Sequence, residues 1–139
     1  MSRRRSSRAV LLQALYQYGL SGQWPVLSEL HAHFAESAQG PAADDDFTGH
    51  VFTALQERIA EVDGLITDAS RNWRLERMAA VDLSLIRLAT MELLLETAPP
   101  KVVLNEAVEL AKEFGTDTSA GFVNGVLDGV LRHYHDRAQ

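Results

Sequence analysis

Apolar residues recur three and four apart along most of this chain. Leu11, Ala14, Leu15 and Tyr18 fall at i, i+3, i+4 and i+7, the spacing that lines one face of an α-helix, and predict a helix over about Ser7 to Leu20. Gly19 and Gly22 mark its end, and Trp24-Pro25 lies in the connection. Arg4, Arg8, Leu12 and Tyr16 are spaced by four, so a helix extended backward carries them as a neighbouring stripe. Arginines beside an aromatic ring suit phosphate contact next to base stacking. An ordinary core-edge tyrosine fits the same stripe equally well.

The pattern continues. Leu27, Leu30, Phe34 and Ala38 predict a second helix over Val26 to Ala38, and Gln39-Gly-Pro-Ala-Ala43 reads as a loop. Asp44-Asp45-Asp46 opens a third helix, reaching Leu65 or beyond through Phe47, Val51, Leu55, Ile59 and Val62. Acids ahead of a helix are what capping and the helix dipole favour, so this run is read as a cap before a Mg²⁺ site. After Trp73 and Leu75 comes a segment from Ala79 to Glu96 with few polar interruptions, expected to be the central, most buried helix. Within it Arg87 and Glu92 require polar partners, because an unpaired buried charge is costly. Pro99-Pro100 breaks that helix and starts another on Val103, Ala107, Leu110, Ala111 and Phe114; Gly115 stops it, in the left-handed conformation common at helix ends. A last helix runs from about Thr118 to Tyr134. Nothing reads as a strand, so the fold class is all-α, with six to seven helices in one domain over residues 1–139.

Gly121, Gly125 and Gly129 in that last helix cost ~1 kcal/mol each relative to alanine. A smooth stripe for close packing, inside the fold or against a partner, would offset the cost.

Charge adds an asymmetry. The net charge is −6, yet four of the 13 basic residues and none of the 19 acids lie in residues 1–8. A basic arm on an acidic body is either a solvated terminus or a local anion site. Gln13 and Gln17 interrupt any export-type apolar stretch behind the arginines. There is no cysteine, which removes disulfides, Cys-ligated metals and thiol chemistry and is compatible with a reducing cytoplasm. No apolar run approaches the ~18–20 residues of a membrane span. Glycine-rich phosphate loops, a Gly-x-Ser-x-Gly elbow and a His-Glu-x-x-His motif are all absent. His31/His33 and His133/His135 are each two apart, too far around a helix to chelate from one face. A binding module is therefore favoured over an enzyme.

One stretch is more specific than any of these features. Lys101-Val-Val-Leu-Asn-Glu-Ala-Val-Glu-Leu-Ala-Lys-Glu-Phe-Gly115 followed by Phe122-Val-Asn-Gly-Val-Leu-Asp128 closely resembles the NusB family of transcription antitermination factors. Asn72-Trp73, Arg77, Val81-Asp82, Ile86-Arg87-Leu88-Ala89 and Gln13-Ala14-Leu15-Tyr16 are similar to its middle and its start, while residues 23–60 match loosely. The resemblance implies two packed helical bundles, no catalysis and no cofactor. It also implies a cytoplasmic protein that binds boxA-type single-stranded RNA of ribosomal RNA transcripts with NusE, a small-subunit ribosomal protein, in an antitermination complex on RNA polymerase. Carried over by position, RNA contact falls on Arg3, Arg4, Arg5 and Arg8 of the arm and on Thr118 and Ser119 after Phe114; the NusE interface falls on Tyr16, Asp82 and Phe114. Thr118 stands where some members have an acid, and Ser6 and Ser7 interrupt the arginines. Four phosphate contacts imply a log–log salt slope of about −2.8. The competing expectations are a non-catalytic helical interaction module and a homodimer without RNA selectivity. A NusB-like domain ahead of an RNA methyltransferase is a further precedent, for which 139 residues leave no room.

Overall fold

A computed structural model describes residues 2–37 and 41–138. Six α-helices follow one another: α1 (Arg3–Ser21), α2 (Leu27–Ser37), α3 (Asp45–Ala69), α4 (Ala80–Leu95), α5 (Pro100–Phe114) and α6 (Ser119–Ala138). A 3₁₀ turn over Leu75–Arg77 precedes α4, and no strand occurs among the described residues. The loop expected at 39–43 is described only from Pro41 onward; Ala38, Gln39 and Gly40 lie outside the described residues.

The apolar run of α4 has the consequence its pattern predicts. This helix contacts α1, α3, α5 and α6, so Leu85, Ile86, Leu88, Ala89, Met91 and Leu93 are buried on successive faces. With it, α1, α2 and α3 form one group and α5 and α6 the other; α3 also reaches α6. The two small bundles therefore share one central helix, because a helix apolar all round is stable only with neighbours on every side. Two of its three charges, Arg87 and Glu92, are paired, as required. Arg87 donates to both carboxylate oxygens of Asp63 at 2.8 and 3.0 Å, and Glu92 accepts from Arg8.

Helix ends follow local chemistry. Asp44 caps α3, its carboxylate accepting from the Phe47 amide at 3.2 Å. Gly22 ends α1 at φ 76°, where a residue without Cβ avoids the left-handed penalty. Trp24 stacks on Tyr18 with centroids 4.2 Å apart and meets Phe52 edge-on, holding the connection between α1 and α2 against the core.

Gly115 corrects the expectation of a left-handed stop. It is extended, at φ −97° and ψ −159°, and the left-handed end belongs instead to Glu96 after α4, at φ 54°. The requirement at Gly115 is space, since a Cβ there would meet the Ser119 side chain and the Ala111 carbonyl.

The glycine stripe divides. At Gly129 a Cβ would stand 3.1 Å from the Ala69 carbonyl oxygen, so this glycine permits the close approach of α6 to the end of α3; at Gly121 and Gly125 it would meet nothing within 4 Å. Gly125→Ala should therefore raise stability by about 1 kcal/mol. Gly129→Ala should forfeit that gain to crowding. Urea midpoints of the two variants check this, and equal shifts would contradict the packing role of Gly129.

Candidate nucleic-acid and partner surfaces

The arginine-rich start is helix, not a frayed arm. Ser2 accepts a hydrogen bond from the Arg5 amide at 3.0 Å, so α1 begins at Arg3, four residues before the hydrophobic stripe signals it. Further bonds tie this turn to the segment before α3: Ser6 donates to the Pro41 carbonyl, and the Ser7 hydroxyl accepts from the Asp44 amide at 2.8 Å.

Each arginine has a different setting. Arg3 is exposed and donates to the Ala42 and Ala43 carbonyls at 3.4 and 3.3 Å. Arg4, also exposed, donates to the Thr97 carbonyl at 2.7 Å and lies over the Phe47 ring, 4.5 Å from its centroid. Both rest on neutral partners, which orient them and leave their charge uncancelled. Arg5 is half-buried and forked onto Glu106 at 3.0 and 3.2 Å. That hydrogen bond raises the Arg5 guanidinium above its ordinary value, against a smaller opposing effect of burial; Glu109 and Glu113 add to the rise.

Arg8 stands apart from the other three. Only 4% exposed, it lies inside the junction of α1, α4 and α5, forked onto Glu92 at 2.8 and 2.7 Å. Glu92 also accepts from the Thr97 hydroxyl at 2.8 Å, and Glu106 lies 3.9 Å from Arg8. The fourfold spacing from Arg4 to Tyr16 does lie on one helix, but at Arg8 that face is turned onto α4. A guanidinium in this position holds the core together and has no open side for a phosphate.

The second expected RNA region, around Thr118 and Ser119, lies beyond the far end of α5. Glu106 and Phe114 are about 12 Å apart along the helix at 1.5 Å per residue, so the structure does not gather it with the arginines into one patch. Thr118 is exposed. Ser119 is turned inward: it is 1% exposed, and its hydroxyl accepts from the Thr116 amide at 2.9 Å, closing the turn into α6. It shapes the loop from within.

The residues expected at the protein interface occupy the opposite ends of the helices joined by the arginine network. Tyr16 is half-buried two turns beyond Arg8 on α1, Asp82 lies in the first turn of α4, and Phe114 ends α5 with 45% of its surface exposed. Asp82 is buried, and its Oδ1 has no hydrogen-bond partner among the described residues. An unsatisfied buried acceptor costs about 1–3 kcal/mol, a cost that a donor from outside would relieve.

Sequence reasoning missed Thr97, Phe47 and the pairing of Glu106. The charge of Glu92 in an apolar run calls for a partner but does not name one 84 residues away, and no local feature links Glu106 to Arg5, 101 residues earlier. Thr97 carries no local signal at all.

The model of the NusB family matches residues 5–132. The transcription antitermination protein NusB of Geobacter sulfurreducens is 41% identical over 140 residues, covering 99% of each chain. That of Anaeromyxobacter dehalogenans is 44% identical over 131 residues, covering 93% of this chain and 90% of its own. Among solved structures, T. maritima NusB superposes with a TM-score of 0.76 at 32% identity, covering 95% of this chain and 92% of that one. A chain from the complex of antitermination factors NusB and NusE with dsRNA gives a TM-score of 0.78 at 25% identity, covering 96% and 99%.

Proposed function

The chain belongs to the NusB family, and on that footing we propose that it is a non-catalytic transcription antitermination factor of the cytoplasm. It binds boxA-type single-stranded RNA of ribosomal RNA transcripts jointly with a NusE-type ribosomal protein, within an assembly on RNA polymerase. The observation that carries the RNA reading is the pair Arg3 and Arg4, exposed at the start of α1 and, among the described residues, hydrogen-bonded to neutral carbonyls alone. They offer charge and donors at a pre-ordered helix end, where phosphate binding orders little further. Likeness to a chain solved together with NusE and dsRNA supports the same reading. Thr118, exposed at the α5–α6 turn, is a further candidate contact for an RNA long enough to run along α5.

NusE is assigned to the end bearing Tyr16, Asp82 and Phe114. The exposed ring of Phe114 and the unpartnered Asp82 oxygen support this, since one offers apolar area and the other an acceptor that a partner's donor can satisfy.

With Arg8 buried and Arg5 engaged, two phosphate contacts remain at α1, and the chain alone should bind weakly with a log–log salt slope of about −1.4. Fluorescence anisotropy of a labelled boxA-type RNA and a scrambled control, with and without NusE, tests the reading. The expected result is selective binding that NusE tightens and that Arg3→Ala/Arg4→Ala reduces at least about tenfold, with a flatter slope. Equal binding of both RNAs with no gain from NusE would overturn it and favour a helical interaction module.

A further inference from the structure

We propose that Glu106 is an internal competitor that withholds Arg5 from RNA, so that the chain binds with one phosphate contact fewer than its basic start could supply. The inference rests on the RNA reading of α1. Four arginines lie within six residues, yet they divide by partner chemistry. Arg3 and Arg4 are bonded to carbonyls and keep their charge; Arg5 is forked onto a carboxylate and is electrically cancelled. The fork is the geometry a guanidinium adopts on phosphate, so Glu106 occupies the donors a phosphate would take.

Two observations separate this pair from a purely structural one. Arg5 and Glu106 side chains keep 30% and 22% of their surface, against 5% and 2% for Arg8 and Glu92. The fold is thus held by the inner pair, and the outer pair lies at the water boundary where a polyanion arrives. Glu109 and Glu113 continue the negative charge along α5 beyond Glu106, with Lys112 3.3 Å from Glu109. Acids placed here repel any RNA that does not gain other contacts. A sequence-independent phosphate contact adds affinity for right and wrong RNAs alike. Withholding one keeps binding dependent on base contacts and on the protein partner.

The test uses the full chain with its NusE partner and both RNAs. Glu106→Gln removes the competing charge and leaves Arg8 forked on Glu92. Affinity should rise about fivefold at ~0.1 M salt, equally for boxA-type and scrambled RNA, and the slope should steepen by about 0.7, one phosphate contact. Arg5→Ala/Glu106→Gln removes both charges and should bind within about twofold of the unaltered chain. Glu113→Gln should give less than half the gain of Glu106→Gln. An unchanged affinity for Glu106→Gln, a gain that survives removal of Arg5, or an equal gain for Glu113→Gln would each overturn the proposal. In the unaltered protein, the Arg5 Nε–H resonance should stay in place during RNA titration while those of Arg3 and Arg4 move; equal movement of Arg5 would refute it independently of any variant. Insensitivity of RNA binding to Arg3→Ala/Arg4→Ala would instead overturn the RNA reading itself, so the two failures are distinguishable.

Discussion

Arg8→Ala should lower folding stability by about 3–5 kcal/mol, because it strands a buried carboxylate. Glu92 is 1% exposed and accepts two guanidinium hydrogen bonds; after the substitution only the Thr97 hydroxyl would remain to it. Glu92→Ala should cost less, since Arg8 would still have Glu106 at 3.9 Å. Replacing both together, as Arg8→Met/Glu92→Leu, should recover most of the loss, because neither charge is then left without its partner. Urea denaturation with an unchanged slope and a lowered midpoint is the check. A loss under about 1 kcal/mol for Arg8→Ala would mean that water reaches the pair and screens it as it does a surface bridge. The result also governs how RNA data are read. For a domain stable by about 5–15 kcal/mol, a variant at Arg8 can lose binding by unfolding, so Arg3 and Arg4 are the positions that report on contact.

Gly115→Ala should be the next most damaging change, at the upper end of the ~1–3 kcal/mol typical of overpacking. A Cβ at this position would stand 2.5 Å from the Ser119 Cβ and 2.8 Å from the Ala111 carbonyl oxygen, well inside contact distance. The last of these is backbone of α5 and the first is the opening residue of α6, so relief requires the two helices to part. Ser119→Ala should not rescue it, because the clash between Cβ atoms persists. Thermal unfolding of the single and double variants tests this; a rescued double variant would show that only the hydroxyl is crowded. Opening this turn would also move Phe114 and Thr118, so NusE affinity should fall while the arginine end of α1 is untouched.

Much of this architecture was legible because it is local. The three-four spacing located every helix within a few residues, and the nearly unbroken apolar run of α4 announced a helix with neighbours all round. Pro99-Pro100 and Asp44 act through their own backbone neighbours, so their roles could be read in place. The start of α1 was placed late because the stripe that signals a helix begins only where the helix meets the core. Ser2 and the arginines extend it through capping and side-chain bonds that leave no hydrophobic periodicity.

Arg3, Arg4, Arg5 and Arg8 look equivalent in sequence, and the resemblance that names them as RNA residues treats them as one set. Tertiary structure distinguishes them. Arg8 faces α4 and meets Glu92, Arg5 meets Glu106 of α5, and Arg3 and Arg4 meet neutral carbonyls and, for Arg4, the Phe47 ring. Gly121 and Gly129 look equivalent in the same way, and only one of them lies against the end of α3. Helix formation depends on residues three or four apart, which the chain displays in order. Whether a charge is cancelled, or a missing side chain makes room, depends on atoms brought in from dozens of residues away, and only the packed helices bring them there.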